Sequence, residues 1–243
     1  GKFPFTSIPI GTKLYVMNSL EHSVSVIDTT TQTVLSTIPV GNYPEYSYYS
    51  AINNKLYITH TTSNNIVTVI NTLTDTVSST ITVGSEPLYP LVVGTTLYVP
   101  NRVGDSVSVI NTNTDTVITT IPVGDMPYYA VSIGNKVYIA NRNSGTVSVI
   151  STVTNTVTAT ITVGSQPFSL IPVGTSLYVS NSNSDTVSVI NSVTDAVTAT
   201  IAVGDRPLFF SNIGTKLYVT NSFSDNVSVI NTATNTVSST ISV

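Results

Sequence analysis

Few residues of this chain could carry out chemistry on a substrate. Its only two histidines, His22 and His60, and the neighbouring Glu21 are the residues best suited to metal or acid–base chemistry. Imidazole and carboxylate groups are good Zn²⁺ ligands, and imidazole transfers protons near neutral pH. No serine or aspartate at a defined spacing supports a nucleophilic triad. We therefore predict no catalytic residue and no metal site. Glu21, His22 and His60 are the residues that could form one if their loops meet, and solvated loop residues are the simpler interpretation.

A larger group of residues could bind a ligand without reacting with it. Aromatic rings stack on sugar rings or grip a peptide, while carboxylates and guanidinium groups supply hydrogen bonds. The candidate ligand-binding residues are Tyr43, Glu45, Glu86, Tyr89, Arg102, Asp125, Tyr128, Tyr129, Arg142, Phe168, Asp205 and Arg206. The alternative is that many of these aromatic side chains belong to the core, because side chains along a strand alternate between two faces.

Six copies of one repeat must position these residues. The copies span 1–40, 41–83, 84–123, 124–163, 164–203 and 204–243. Each contains four runs of alternating β-branched or aromatic residues, bounded by Gly, Asn, Asp and Ser. Four strands in about 40 residues are typical of a β-propeller blade. The sequence predicts an all-β fold, a single six-bladed β-propeller domain over 1–243. Each blade is a four-stranded antiparallel meander, with strands A to D running outward from the channel, and face packing of copies six and one closes the ring.

Two strand motifs and one junction between copies indicate which kind of β-propeller the chain resembles. Strand B of the last copy reads Leu217-Tyr-Val-Thr-Asn221, and strand C reads Val227-Ser-Val-Ile-Asn231; a Val-Gly-x-x-Pro junction precedes strand A, as in residues 123–127. These residues resemble the YVTN-repeat β-propeller family over the whole chain. The resemblance implies a propeller of the kind found in cell-surface and surface-layer proteins of archaea and bacteria. Related propellers also occur in redox and lactone-cleaving enzymes, so the resemblance does not assign a function.

The two ends of a blade differ in how much the copies vary. The A–B and C–D turns, named here the turn face, carry Lys and Asp in the same slot of several copies, which indicates a structural role. The D–A and B–C loops, named the loop face, carry all three Arg, all three Glu and both His. Function in repeat proteins tends to lie where repeats deviate, so the loop face is the predicted site. Copy two deviates most, with three extra residues and a cluster of four Tyr, which is either a contact patch or repeat drift.

The amino-acid composition limits the kinds of molecule that this chain is expected to bind. The net charge is −4 and charged residues make up 8% of the chain, which argues against nucleic acid. There is no Cys and no apolar run of membrane-spanning length, so we expect no direct membrane insertion. No cofactor is expected, because phosphate loops and haem motifs are missing. The expected partner is a protein or a glycan at the loop face, and self-assembly is left open.

The predicted function is a non-catalytic extracellular or cell-surface module for structure or binding. One alternative is a lactonase- or lyase-like enzyme that uses acidic and histidine residues at the channel mouth. The other is an engineered or recently amplified propeller without a selected ligand. The first copy begins at Gly1, so any leader or anchor would lie outside this sequence.

Overall fold

The computed structural model describes residues 1–61 and 64–243 and divides the chain into two compact units, Gly1–Ile121 and Pro122–Val243. Each unit is described by itself. Among the described residues, no helix has the length and apolar character needed to cross a membrane.

The first unit contains three four-stranded sheets, numbered one to three, and a short 3-10 turn at Ser19–Glu21. Its strands are β1 (Pro4–Ile10), β2 (Lys13–Asn18), β3 (Ser23–Asp28), β4 (Thr33–Pro39), β5 (Pro44–Ser50), β6 (Lys55–His60), β7 (Ile66–Asn71), β8 (Thr76–Thr82), β9 (Leu91–Val93), β10 (Thr96–Asn101), β11 (Ser106–Asn111) and β12 (Thr116–Pro122).

The second unit contains sheets four to six. Its strands are β13 (Pro127–Ile133), β14 (Lys136–Asn141), β15 (Thr146–Ser151), β16 (Thr156–Thr162), β17 (Pro167–Val173), β18 (Ser176–Asn181), β19 (Thr186–Asn191), β20 (Ala196–Ala202), β21 (Pro207–Ile213), β22 (Lys216–Asn221), β23 (Asn226–Asn231) and β24 (Thr236–Ser242).

Every sheet is an antiparallel meander in which strands A to D pair in chain order. Strands B and C of sheet four pair without interruption, with Tyr138 opposite Val149. The register shifts within strand A after Pro127, and between strands C and D after Val149. Such bulges twist a strand locally. Because side chains alternate along each strand, every sheet presents two apolar faces.

Within each unit, consecutive sheets pack face to face. The forward face of a sheet contains a Tyr of strand B, two Val of strand C and an Ile of strand D. It packs on the back face of the next sheet, which contains two aliphatic residues of strand B and an Ile of strand C. In the second unit the first such cluster contains Tyr138, Val147, Val149 and Ile161 against Leu177, Val179 and Ile190. The same arrangement joins sheets one and two, two and three, and five and six.

A polar contact at the turn face, named here the clasp, accompanies each of these packed faces. Lys136 Nζ lies 2.8 Å from Asp195 Oδ2 of the next sheet, and the Tyr138 hydroxyl donates to Asp195 Oδ1 at 3.0 Å. Lys13 and Tyr15 contact Asp75 in the same way, and Lys55 and Tyr57 contact Asp115. Burial, together with the neighbouring carboxylate, raises the pKa of Tyr15, Tyr57 and Tyr138. Between sheets five and six the clasp is neutral, since Tyr178 donates to Asn235 at 2.7 Å and Ser176 replaces the lysine.

A second repeated contact fixes the end of strand B. Buried Asn141 donates through Nδ2 to Thr146 Oγ1 at 3.0 Å and to Ser148 Oγ at 2.8 Å, which ties strand B to strand C. The Asn side chain lies against the Gly that opens the repeat, and a Cβ on Gly124 would stand 2.7 Å from Asn141 Nδ2. Only glycine allows this approach.

Candidate functional site

The D–A loops have an unusual backbone at their most variable position. In all six copies the residue before the strand-A proline has a positive φ, between 51° and 55°, and none of the six is Gly, Asn or Asp. These residues are Phe3, Tyr43, Glu86, Met126, Gln166 and Arg206. A left-handed conformation costs such residues about 1–2 kcal/mol each. The six D–A loops therefore share one unfavourable backbone conformation, whereas the side chain at this position differs in every copy.

The B–C loop of the preceding copy holds this backbone in place. The Arg206 N–H donates to Asp185 Oδ1 at 2.9 Å, and the Glu86 N–H donates to Asn65 Oδ1 at 3.3 Å. In copy one the acceptor is a histidine, because the Tyr43 N–H donates to His22 Nδ1 at 3.1 Å. His22 thus fills the slot that Asn65 and Asp185 occupy in other copies, and all three side chains accept from the backbone of a D–A loop.

The second unit gathers three aromatic rings on its loop face. The ring centroids of Tyr128 and Phe168 are 4.9 Å apart, and those of Phe168 and Phe209 are 5.3 Å apart. The Arg142 guanidinium lies 5.8 Å from the Tyr128 centroid and 5.7 Å from that of Phe168. Arg142 also donates to Gln166 Oε1 at 3.2 Å. The predicted residues Tyr128, Arg142 and Phe168 are therefore in mutual contact.

Beside this row lies a cavity of about 350 Å³ with a mainly polar lining. Its lining residues are Gln166, Ser182, Asn183, Asp185, Asp205, Arg206 and Phe223. The Arg206 guanidinium stacks 4.5 Å from the centroid of Phe223, a ring that is 69% exposed. The site thus combines an exposed aromatic ring, on which Arg206 stacks, with amide, hydroxyl and carboxylate oxygens.

The first unit places its predicted residues in smaller groups. Arg102 forms an ion pair with Glu86, with Nε donating to Oε2 at 2.8 Å. Burial raises the pKa of Glu45, while the hydroxyl of Thr61 and the charge of Arg102 oppose the rise. Tyr89 packs on Tyr46 with centroids 4.0 Å apart. The insertion of copy two includes Thr62 and Ser63, which lie outside the described residues.

His60 lies where the sequence hypothesis did not expect it. It is fully buried at the end of β6, in the slot that Asn fills in the other five copies. Its Nδ1 lies 2.9 Å from the Asn42 carbonyl, and its Nε2 lies 2.8 Å from Thr68 Oγ1. Burial lowers the pKa of His60, and its backbone hydrogen bonds partly offset this. With both nitrogens bonded inside the protein, His60 cannot reach a substrate or share a metal with Glu21 and His22. No trio of His, Cys, Asp or Glu in the described chain is placed to hold a metal ion.

Three further predicted residues differ in their surroundings. Tyr129 packs against the apolar cluster between sheets four and five, and burial raises its pKa, so it belongs to the core. Asp125 is exposed on its loop. Tyr43 is 36% exposed, with its ring edge 5.2 Å from His22.

The exposed aromatic residue of the cavity, Phe223, was missing from the sequence-based candidates. Phe223 is the only aromatic residue in any of the six B–C loops. Comparison of the copies at this position would have revealed it, because the other loops have polar or aliphatic residues there.

Comparison with known proteins identifies the fold. The structure is similar to that of hydrazine synthase from Kuenenia stuttgartiensis, with a TM-score of 0.76 and 21% identity over 94% of this chain and 76% of that one. BamB from Moraxella catarrhalis gives a TM-score of 0.80 and 11% identity over 97% of this chain and 75% of that one. The computationally designed protein Ika8 gives a TM-score of 0.80 and 11% identity over 94% and 71%.

No protein-family model matches the chain, and no curated protein matches it in sequence. The first two structural neighbours are β-propellers, and six four-stranded antiparallel sheets fit a six-bladed member of that class. The predicted fold class is confirmed. At these identities the likeness shows the fold alone.

Proposed function

We propose that this chain is a non-catalytic binding module of the YVTN-repeat type, belonging to an extracellular or cell-surface protein, and that its loop face binds a carbohydrate. The cavity bounded by Phe223, Asp205 and Gln166 carries the proposal. The strand motifs support the repeat type and the surface location.

The chemistry of the cavity favours a sugar. A pyranose ring has an apolar face that stacks on an aromatic ring and a rim of hydroxyls that need hydrogen-bond partners. Phe223 supplies the aromatic face, while Asp205 and Gln166 supply oxygen acceptors. A volume of about 350 Å³ is at the small end of ligand pockets. The neighbouring row of Tyr128, Phe168 and Phe209 could bind further sugar units of a chain.

An array of immobilised oligosaccharides, probed with the labelled chain, tests this proposal. The wild-type chain should bind a defined subset of glycans. Phe223→Ala and Asp205→Asn should each weaken binding of the best glycan by about tenfold or more, the equivalent of ~1.4 kcal/mol. Val193→Ala is the matched control, because Val193 is 73% exposed at the turn face. Binding that both cavity variants retain, or the absence of any glycan hit, would contradict the proposal and favour a protein partner.

A further inference from the structure

One backbone contact on the loop face is the same in copies three and four. The Arg102 N–H of the B–C loop donates to the Glu86 carbonyl of the D–A loop at 2.9 Å, and the Arg142 N–H donates to the Met126 carbonyl at the same distance. Glu86 and Met126 also share the left-handed backbone, with φ of 53° and 54°. The two copies therefore place an arginine beside the same backbone position and differ in the side chain at that position.

In copy three the arginine of this contact has a carboxylate partner. Arg102 Nε donates to Glu86 Oε2 at 2.8 Å, and the two side chains are 34% and 30% exposed. A guanidinium and a carboxylate form charge-assisted hydrogen bonds, for which their planar shapes are well matched. The charge of Arg102 is thus compensated within its own copy.

In copy four the arginine of this contact has no carboxylate partner, because Met126 stands where copy three has Glu86. Among the described residues, none forms an ion pair with Arg142. Its guanidinium donates to the neutral Gln166 Oε1 at 3.2 Å, and its buried Nε has no hydrogen-bond partner in the described chain. A guanidinium has five N–H donors. Arg142 is partly exposed, so both donors and a positive charge are available to a ligand.

The surroundings of Arg142 connect this charge to the proposed sugar site. The guanidinium lies 5.8 Å and 5.7 Å from the ring centroids of Tyr128 and Phe168, near the outer limit of a cation–π contact. Gln166, which accepts its hydrogen bond, also lines the cavity. A positive group therefore lies beside the aromatic row and next to a residue of the cavity, all within the second unit.

We propose that Arg142 binds the carboxylate of an acidic sugar, so that the glycan recognised by the second unit contains a uronic or sialic acid. This inference rests on the proposed function. The sugar carboxylate supplies to Arg142 what Glu86 supplies to Arg102, while the sugar ring stacks on an aromatic side chain of the row. Arg142 is thus a specificity-determining residue that selects charged glycans over neutral ones.

Pairs of oligosaccharides that differ only in a methyl ester test this proposal. Each uronic- or sialic-acid oligosaccharide is immobilised beside its methyl ester, and titration with the labelled chain gives a Kd for both. The wild-type chain should bind the acid about tenfold more tightly than the ester. Because the net charge of the chain is −4, the overall field favours the neutral ester, and a preference for the acid must come from a local cation.

Two variants should remove this preference and retain binding of the ester. Arg142→Ser installs the residue that copy five has in the same slot, Ser182, and Met126→Glu installs the carboxylate that copy three has, Glu86. Each should bring the ratio of the two Kd values to about one, because the guanidinium is removed or already paired. Met126→Gln is the matched control, since it has the shape of the glutamate without its charge, and it should keep the wild-type ratio.

Thermal unfolding tests the uncompensated charge of Arg142 without any glycan. Met126→Glu should have a Tm about 1–2 °C above that of Met126→Gln, and about 1 M salt should remove the difference. An equal or lower Tm for Met126→Glu would show that Arg142 does not accept a carboxylate, and would contradict the inference whatever the glycan titrations give.

The outcomes separate this inference from the proposed function. Equal affinity for acid and ester, or a preference for the acid that Arg142→Ser retains, would overturn the role of Arg142 and leave carbohydrate binding intact. Binding of sulfated glycans in place of carboxylated ones would contradict the assignment of a carboxylate ligand. The absence of any glycan binding would overturn both.

Discussion

The turn face and the loop face are built on the same strands and differ in what they repeat. At the turn face, three pairs of sheets have the same clasp of Lys, Tyr and Asp. At the loop face, all six copies keep the same left-handed backbone and place a different side chain on it. Repetition of side chains indicates a role in stability, and repetition of backbone alone indicates a scaffold for recognition.

Burial supports this division. The clasp carboxylates of Asp75, Asp115 and Asp195 are only 11–18% exposed, so each needs its lysine and tyrosine. In the cavity of the loop face, by contrast, Phe223 is mostly exposed. A loop-face substitution that destabilises the chain as much as a turn-face substitution would contradict this division.

The largest contrast is expected between two tyrosines of sheet four. Tyr138 is fully buried in the forward face, so Tyr138→Ala should cost about 3–5 kcal/mol through the cavity that it leaves. Tyr128 is half-buried on the loop face, and Tyr128→Ala should cost about 1 kcal/mol or less. Urea unfolding followed by circular dichroism measures both changes. Similar losses for the two variants would mean that the aromatic row is core.

The clasp should show a smaller but specific effect. Lys136→Ser leaves the Asp195 carboxylate without its cation and should destabilise the chain by about 1–3 kcal/mol. Adding Asp195→Asn should recover most of the loss, because the pair then matches Ser176 and Asn235. Asp195→Asn alone removes the acceptor charge and is the second arm of the double-mutant cycle. Additive losses would show that the two side chains act independently.

Much of the fold could be predicted from single copies. The alternation of Val227-Ser-Val-Ile-Asn231 predicts a strand with two buried faces, and the period of about 40 residues predicts the four-stranded sheet. The variable Gly-x-x-Pro positions pointed to the loop face before any contact was known. The aromatic residues of strand A were harder to assign from sequence, since alternation sends the adjacent Tyr128 and Tyr129 to opposite sides of the strand without showing which of them meets the core.

Contacts between copies could not be predicted in the same way. Lys136 and Asp195 are 59 residues apart, and only the packing of two sheets brings them together. The role of His60 was also hidden, because a histidine suggests chemistry when its type is considered alone. Its alignment with Asn101 and Asn141 in the other copies is the signal that identifies a structural hydrogen-bonding slot.

The smallest expected effect on stability concerns His60, which is buried at the end of β6, where the core meets the loop face. Burial keeps the pKa of His60 below its ordinary value of 6.5, so the unfolded chain takes up a proton at a higher pH than the folded chain does. Stability should therefore be fully present above about pH 6.5 and fall as the pH drops below that value, until the folded pKa is reached. His60→Asn places the residue of the other five copies in the slot and should remove this part of the pH dependence.

Urea midpoints measured between pH 7.5 and pH 5 check this expectation. His22→Asn, which retains His60, should keep the wild-type decline attributed to His60, whereas His60→Asn should flatten it. Because each variant places Asn where another copy already has Asn in the same slot, neither should alter the fold near neutral pH. Equal pH profiles for the wild type and His60→Asn would mean that the buried imidazole keeps its ordinary proton affinity. The end of β6 would then accept a charged side chain as readily as the exposed loop face does. His60 could in that case no longer be assigned to a structural slot that is distinct from the recognition surface.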